Sequence, residues 1–172
     1  MTTEPRRRAV IWLIPILLSL HNAEEAIAFR RYLSPGHALL PAPFVALESR
    51  LTYATVVQAL GFLSLGAFML AMVAGKHVHS RRLLWCMLAL QAAVGLNVLA
   101  HVVSAAFVFR GYGPGLITAL AFNAPFTVFC FWRASREQWV SPTALRATLP
   151  AALFLHGPVL FAGLWLAAVL SR

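Results

Sequence analysis

Two short segments of this chain combine residue types and spacing that could do chemistry: His21-Asn22-Ala23-Glu24-Glu25 and Asn97-Val98-Leu99-Ala100-His101. On an α-helix, positions i, i+3 and i+4 share a face, so His21, Glu24 and Glu25 are expected to point the same way. An imidazole and one or two carboxylates so placed suit a divalent metal ion, and suit a His–Glu proton relay equally well. Asn97 and His101 form a second i, i+4 pair. A further candidate is His156, followed by Gly157-Pro158, where a helix is expected to distort. All three segments lie inside apolar runs. In hydrocarbon an ionisable side chain is costly, and by default it marks function.

The elements that must position these groups follow from composition. Of 172 residues, 60% are hydrophobic and 11% charged, and the mean hydropathy is +0.77. A soluble domain of this size has to keep its exterior polar and does not need so much apolar surface. A membrane-crossing helix needs about 20 apolar residues. Runs of that kind cover about 9–29, 51–75, 83–109, 114–132 and 144–170. The expectation is an all-α, integral membrane bundle of about five transmembrane helices, forming one domain over residues 1–172. Pro15, Pro125, Pro150 and Pro158 fall inside these runs and predict local kinks.

Fourteen Lys and Arg stand against five Glu, a formal charge of +9. In a soluble chain this would suggest nucleic acid. Here the cations sit in clusters between apolar runs, where they set orientation and meet headgroups, so no nucleic-acid partner is expected. With the N-terminus inside, Arg6–Arg8, Lys76, Arg81, Arg82, Arg133, Arg136 and Arg146 are cytoplasmic, while Arg30, Arg31, Arg50, Arg110 and Arg172 lie outside. Nine against five favours N-inside and C-outside. Arg6–Arg8 before an apolar run imitates a secretory leader, but Glu24 and Glu25 interrupt that run and no clear cleavage site follows, so it reads as a retained helix. Cys86 and Cys130 lie inside apolar runs without CxxC spacing and read as packing residues. The apolar stretch 38–47 is too short to cross and reads as a re-entrant or interfacial segment, or as a loop resting on headgroups. No internal repeat is visible, which weighs against an inverted-repeat transporter.

Height along the helices ties the polar residues together. At about 1.5 Å per residue, His21 to Glu25 lie roughly 18–24 Å above the start of the first helix. Asn97 and His101 lie roughly 22–28 Å above Arg82 on the third, which runs the same way. Gln58 and Thr118 fall in the same outer half, His156 and Asn123 nearer the middle, and Glu48 at the outer rim. Structural alternatives stand beside each. Glu25 could turn outward to Arg30 or Arg31, Asn97 and His101 could bond between helices, and Gln58, Gln91 and Asn123 read better as packing polars. His77 and His79 read as solvated loop residues.

Taken together, His21-x-x-Glu24-Glu25, Asn97-x-x-x-His101 and Pro114-Gly115-x-x-Thr118-Ala119-x5-Pro125 resemble the HXXEE-motif family of small bacterial membrane proteins. The resemblance implies that these motif residues form a shared core and implies a bacterial cytoplasmic (inner) membrane location. It supplies no substrate, because the family has no known function, and His156 lies outside its motifs.

Four readings follow. The first is a membrane metalloenzyme that holds zinc or iron on His21, Glu24, Glu25 and His101, with His156 as a further ligand. In it Glu24, Glu25 and Asn97 serve catalysis on a lipid-like or apolar small molecule. Pro114-Gly115 would offer backbone N–H groups to an anion at the start of the fourth helix. The second is a metal-free acid/base isomerase or cyclase. A proton-coupled carrier comes third, and last an accessory subunit whose polar cluster only locks helices together.

Overall fold

The computed structural model describes residues 3–32 and 52–170. The expected segment 38–47, with His37, Glu48 and Arg50, lies outside the described residues, as does Arg172. Five helices are long and apolar enough to cross a membrane, and among the described residues there is no strand. They are α1 (Thr3–Tyr32), α2 (Tyr53–Lys76), α3 (Arg81–Phe107), α4 (Leu116–Arg136) and α5 (Pro142–Val169).

Several boundaries depart from the hydropathy pattern. Helix α1 extends six residues beyond the expected start, through Arg6–Arg8. A charged cluster ends the apolar run, but nothing in it breaks a helix. Side-chain caps set other starts: Thr52 accepts from the Thr55 N–H, Ser80 from Leu83 and Ser141 from Ala144. Helix α4 starts at Leu116 and not at Pro114, because Gly115 takes a left-handed conformation (φ 78°) just before it.

Two of the expected proline distortions take one form. A π-helical turn at Ala119–Asn123 precedes Pro125 in α4, and another at Leu155–Val159 contains Pro158 in α5. A proline ring collides with the carbonyl four residues earlier, and a widened turn relieves that collision. Pro15 is buried inside an unbroken α1.

Packing places α1 against α2, and α3 against α1, α2, α4 and α5. The apolar core lies toward the N-terminal end of α1, where Val10, Ile11 and Ile14 meet Ala71, Leu84, Met87, Leu88, Phe126, Cys130 and Trp139. At that same end Arg7 donates to the Val78 carbonyl and lies over the Trp139 ring, Glu4 bonds His79, and Trp85 Nε1 donates to the Ala144 carbonyl. These contacts gather Arg6–Arg8, Lys76, Arg81, Arg82, Arg133, Arg136 and Arg146 at one end of the bundle. Glu137 there accepts from Arg133 Nε (2.6 Å) and Trp139 Nε1 (2.8 Å). Burial alone would raise its pKa, but the bonds from Trp139 and Arg133 and the charges of Arg133 and Arg7 hold it below the ordinary carboxylate value.

The outer surface is apolar. Phe62, Leu65, Phe107, Ile117, Val128, Leu153 and Phe154 are each more than half exposed, as helices facing lipid would require. Gln58 is exposed on α2, on this outer surface.

Helices α3 and α4 approach closely at Gly95. A Cβ there would lie 2.9 Å from Thr127 Cγ2. Thr127 is held in place, donating to the Asn123 carbonyl and accepting from Gln91 Nε2. Gly95→Ala is therefore expected to lower stability by about 1–3 kcal/mol through overpacking, despite alanine's better helix propensity. Gly61→Ala, where nothing lies within 4 Å, should hold or raise it. Thermal unfolding of the two variants side by side in detergent checks this, and equal behaviour would contradict the packing account.

Candidate functional site

The polar groups converge near the other end of the bundle, on α1, α3 and the start of α4. His21 is fully buried, with both ring nitrogens engaged. Its Nδ1 lies 2.9 Å from Thr118 Oγ1, and its Nε2 is 2.9 Å from Asn97 Nδ2 and 3.1 Å from His101 Nε2. Asn97 Nδ2 also reaches His101 Nε2 at 3.0 Å, so one amide joins both imidazoles. The two rings meet edge to face, centroids 4.8 Å apart at 76°. Glu25 Oε2 stands 3.9 Å from His21 Nε2, on the same helix face as the i, i+4 spacing requires.

Glu24 does something else. Consecutive helix residues are about 100° apart around the axis, and Glu24 turns to α4 while Glu25 turns to the histidines. Its Oε1 accepts from Tyr112 Oη (2.7 Å) and the Ile117 N–H (3.1 Å). Its Oε2 accepts from the Thr118 N–H (2.7 Å) and the Thr118 hydroxyl (2.6 Å). A carboxylate at a helix N-terminus satisfies backbone donors that have no intrahelical partner. The anion expected at the start of the fourth helix is thus the chain's own Glu24, and the N–H groups come from Ile117 and Thr118 instead of Pro114-Gly115.

This fixes the His21 tautomer. The Thr118 hydroxyl has one proton and points it at Glu24, so its oxygen accepts from His21 Nδ1–H. The lone pair of His21 is then on Nε2, toward His101, Asn97 and Glu25. The carboxylate–hydroxyl–imidazole chain fixes the orientation of the His21 ring. Gly115 closes the arrangement: its backbone comes so near that a Cβ would fall 2.7 Å from His21 Cε1 and 2.9 Å from His101 Cε1.

Among the described residues, His21, Glu25 and His101 form a group able to hold a metal, with one donor atom from each all within 4.8 Å of one another. Ligands each about 2.1 Å from one ion can be no more than about 4.2 Å apart. The 3.1 Å and 3.9 Å separations satisfy that limit, and the remaining pair lies within 4.8 Å. Two imidazoles and a carboxylate are a donor set that zinc and ferrous iron both accept, with a coordination position left over.

Two expected ligands stand outside this trio. Glu24 is committed to α4. His156 is half-buried on the π-helical turn of α5, which packs on α3. Gln91 bonds Thr127, and Asn123 is buried in the α4 turn. Tyr112 carries no signal in the sequence beyond its place just ahead of Gly113-Pro114-Gly115. Asn22, between His21 and Glu24, carries no signal of its role in the sequence. It donates to the Leu60 carbonyl (3.2 Å) and Ser64 Oγ (3.0 Å), tying α1 to α2.

A bundle whose first helix offers His21 and Glu25 to His101 of the third, with Glu24 holding the fourth, gives the HxxEE segment two separate duties. The family model described as protein of unknown function with HXXEE motif matches residues 12–130, more than half of the chain, and the chain belongs to that family. No curated protein and no solved structure matches it.

All four partners of Glu24 are donors, so an amide nitrogen at that position faces another donor whichever way it turns. Glu24→Gln is expected to cost about 2–3 kcal/mol, as loss of charged hydrogen bonds does, and Tyr112→Phe about 1 kcal/mol. Chemical or thermal unfolding in detergent measures both, and a Glu24→Gln variant as stable as the parent would remove the latch from the account.

Proposed function

We propose that the chain is an integral membrane protein whose buried centre holds a divalent metal ion, zinc or iron, on His21, Glu25 and His101, and acts on a lipid-like or apolar small molecule. The observation that carries this reading is the convergence of those three donors within 4.8 Å, in helices apolar enough to be surrounded by lipid. Buried charge-bearing groups with mutual access are costly there unless they serve a ligand or one another. Bound at this centre, such an ion would supply a Lewis acid and an open position for water or a substrate oxygen.

The chain's own residues divide the remaining work. Glu24 and Thr118 position His21, and Asn97 positions both imidazoles. Glu25 has no bond to a helix terminus, and its side chain is 16% exposed, which leaves it accessible. His156, on α5 beside α3, would face a substrate and not the ion. Nine of the fourteen Lys and Arg gather at one end of the bundle; with that end on the cytoplasmic side by the positive-inside rule, the centre would lie toward the outer side of a bacterial cytoplasmic membrane.

One observation favours a second reading. Asn97 closes the two histidines into a hydrogen-bonded unit without any ion. With Glu25 as acid and His101 as base, that unit would suit isomerisation or cyclisation of an apolar substrate.

Elemental mass spectrometry of the purified protein separates the two. The metal reading expects close to one zinc or iron per chain, at least a tenfold loss in Glu25→Gln and His101→Ala, and no change in Tyr112→Phe. No metal after reloading would retire it in favour of acid/base chemistry. Thr118→Val removes the hydroxyl that orients His21 while keeping the shape, and should weaken metal affinity about 10–100-fold, as loss of an orienting partner does. Isothermal titration with Zn²⁺ reads that change directly.

A further inference from the structure

The opposite end of the bundle carries a cleft of about 390 Å³ lined by Arg6, Phe129, Trp132, Arg133, Arg136 and Glu137. Its cations rest on aromatic faces: the Arg136 guanidinium lies 5.3 Å from the Trp132 ring centroid, and that of Arg133 lies 6.0 Å from Phe129. Glu137 cannot neutralise both. It is taken up by Arg133 and Trp139, and Arg136 makes no ion pair among the described residues. The result is an oriented, uncompensated guanidinium with a second arginine beside it, a geometry that matches phosphate oxygens.

What lies next to the cations decides the kind of phosphate. Trp132 is 52% exposed, Phe129 40% and, one turn deeper, Val128 71%. All three are on α4, within a span apolar enough to cross a membrane. A charged head-sized cleft thus continues directly into an exposed apolar strip on the same helix. A soluble phosphate ester would use the first and have nothing for the second, whereas a phospholipid uses both. Arginines needed only to set orientation require neither a cleft nor an aromatic seat.

We propose that this cleft is a binding site for one anionic phospholipid, its phosphate held by Arg136 with Arg133 and Arg6, and an acyl chain lying along Trp132, Phe129 and Val128. The site is separate from the histidine centre. It rests on the membrane embedding proposed above and not on the metal.

The test uses delipidated full-length protein in detergent, titrated with phosphatidylglycerol or phosphatidylcholine and read by native mass spectrometry. The first phosphatidylglycerol is expected to bind at least tenfold more tightly than phosphatidylcholine. Arg136→Gln should bring that preference to within twofold. Arg146→Gln, the same charge change in a neighbouring cleft, should leave it intact. Trp132→Leu removes the seat without touching charge, and should weaken the preference even if Arg136→Gln fails to fold. Equal binding of the two lipids, or equal effects of Arg136→Gln and Arg146→Gln, would overturn the site in favour of diffuse attraction. Displacement of phosphatidylglycerol by millimolar glycerol 3-phosphate would overturn the lipid assignment in favour of a soluble phosphate ester.

Discussion

The arrangement depends on one carboxylate. Glu24 receives two backbone N–H groups, a hydroxyl and a phenol from the segment that begins α4. In water such bonds would exchange with solvent at little cost. Among apolar helices the donors at the start of α4 have few other partners, so the position of α4 relative to α1 is set by Glu24. Once that is set, the Thr118 oxygen meets His21 Nδ1, the His21 lone pair faces inward, and Gly115 seats against both imidazoles. The geometry of the histidine cluster follows from a structural bond made one residue before the carboxylate that faces it.

The adjacency of Glu24 and Glu25 therefore has a physical reason. Neighbouring residues on a helix diverge by about 100°, enough to send one carboxylate to a helix terminus and the other to the histidines. Two carboxylates in one pocket would repel, whereas two on different faces neutralise different partners. The first latches and the second remains available.

Much of the fold was legible in the sequence, because a membrane-length apolar run has few alternatives. The five spans and the all-helical class follow from it, while the helix ends do not. Arg6–Arg8 mark where hydrocarbon would stop, but α1 continues through them. Gly115 ends a turn by its φ, which hydropathy does not report. At the site, spacing on α1 and α3 pointed to His21, Glu25 and His101, which the structure brings together. It did not assign Glu24, because the partners that claim it are backbone N–H groups and Tyr112 from a loop more than eighty residues away.

The π-helical turn in α4 also bears on how such a helix can change over time. A π turn holds one more residue than an α turn of similar rise. Above it Thr118 is phased to His21 of α1, and below it Thr127 is phased to Gly95 of α3. In a plain α-helix, gaining or losing one residue would rotate everything beyond it by about 100° and undo one of those faces. Here the extra residue is confined to Ala119–Asn123, and a descendant chain one residue shorter in that stretch could close the turn to α and keep both. Helix α4 thus contains its own expansion joint, the place along the helix where length can vary while the histidine contact above and the packing below stay in register.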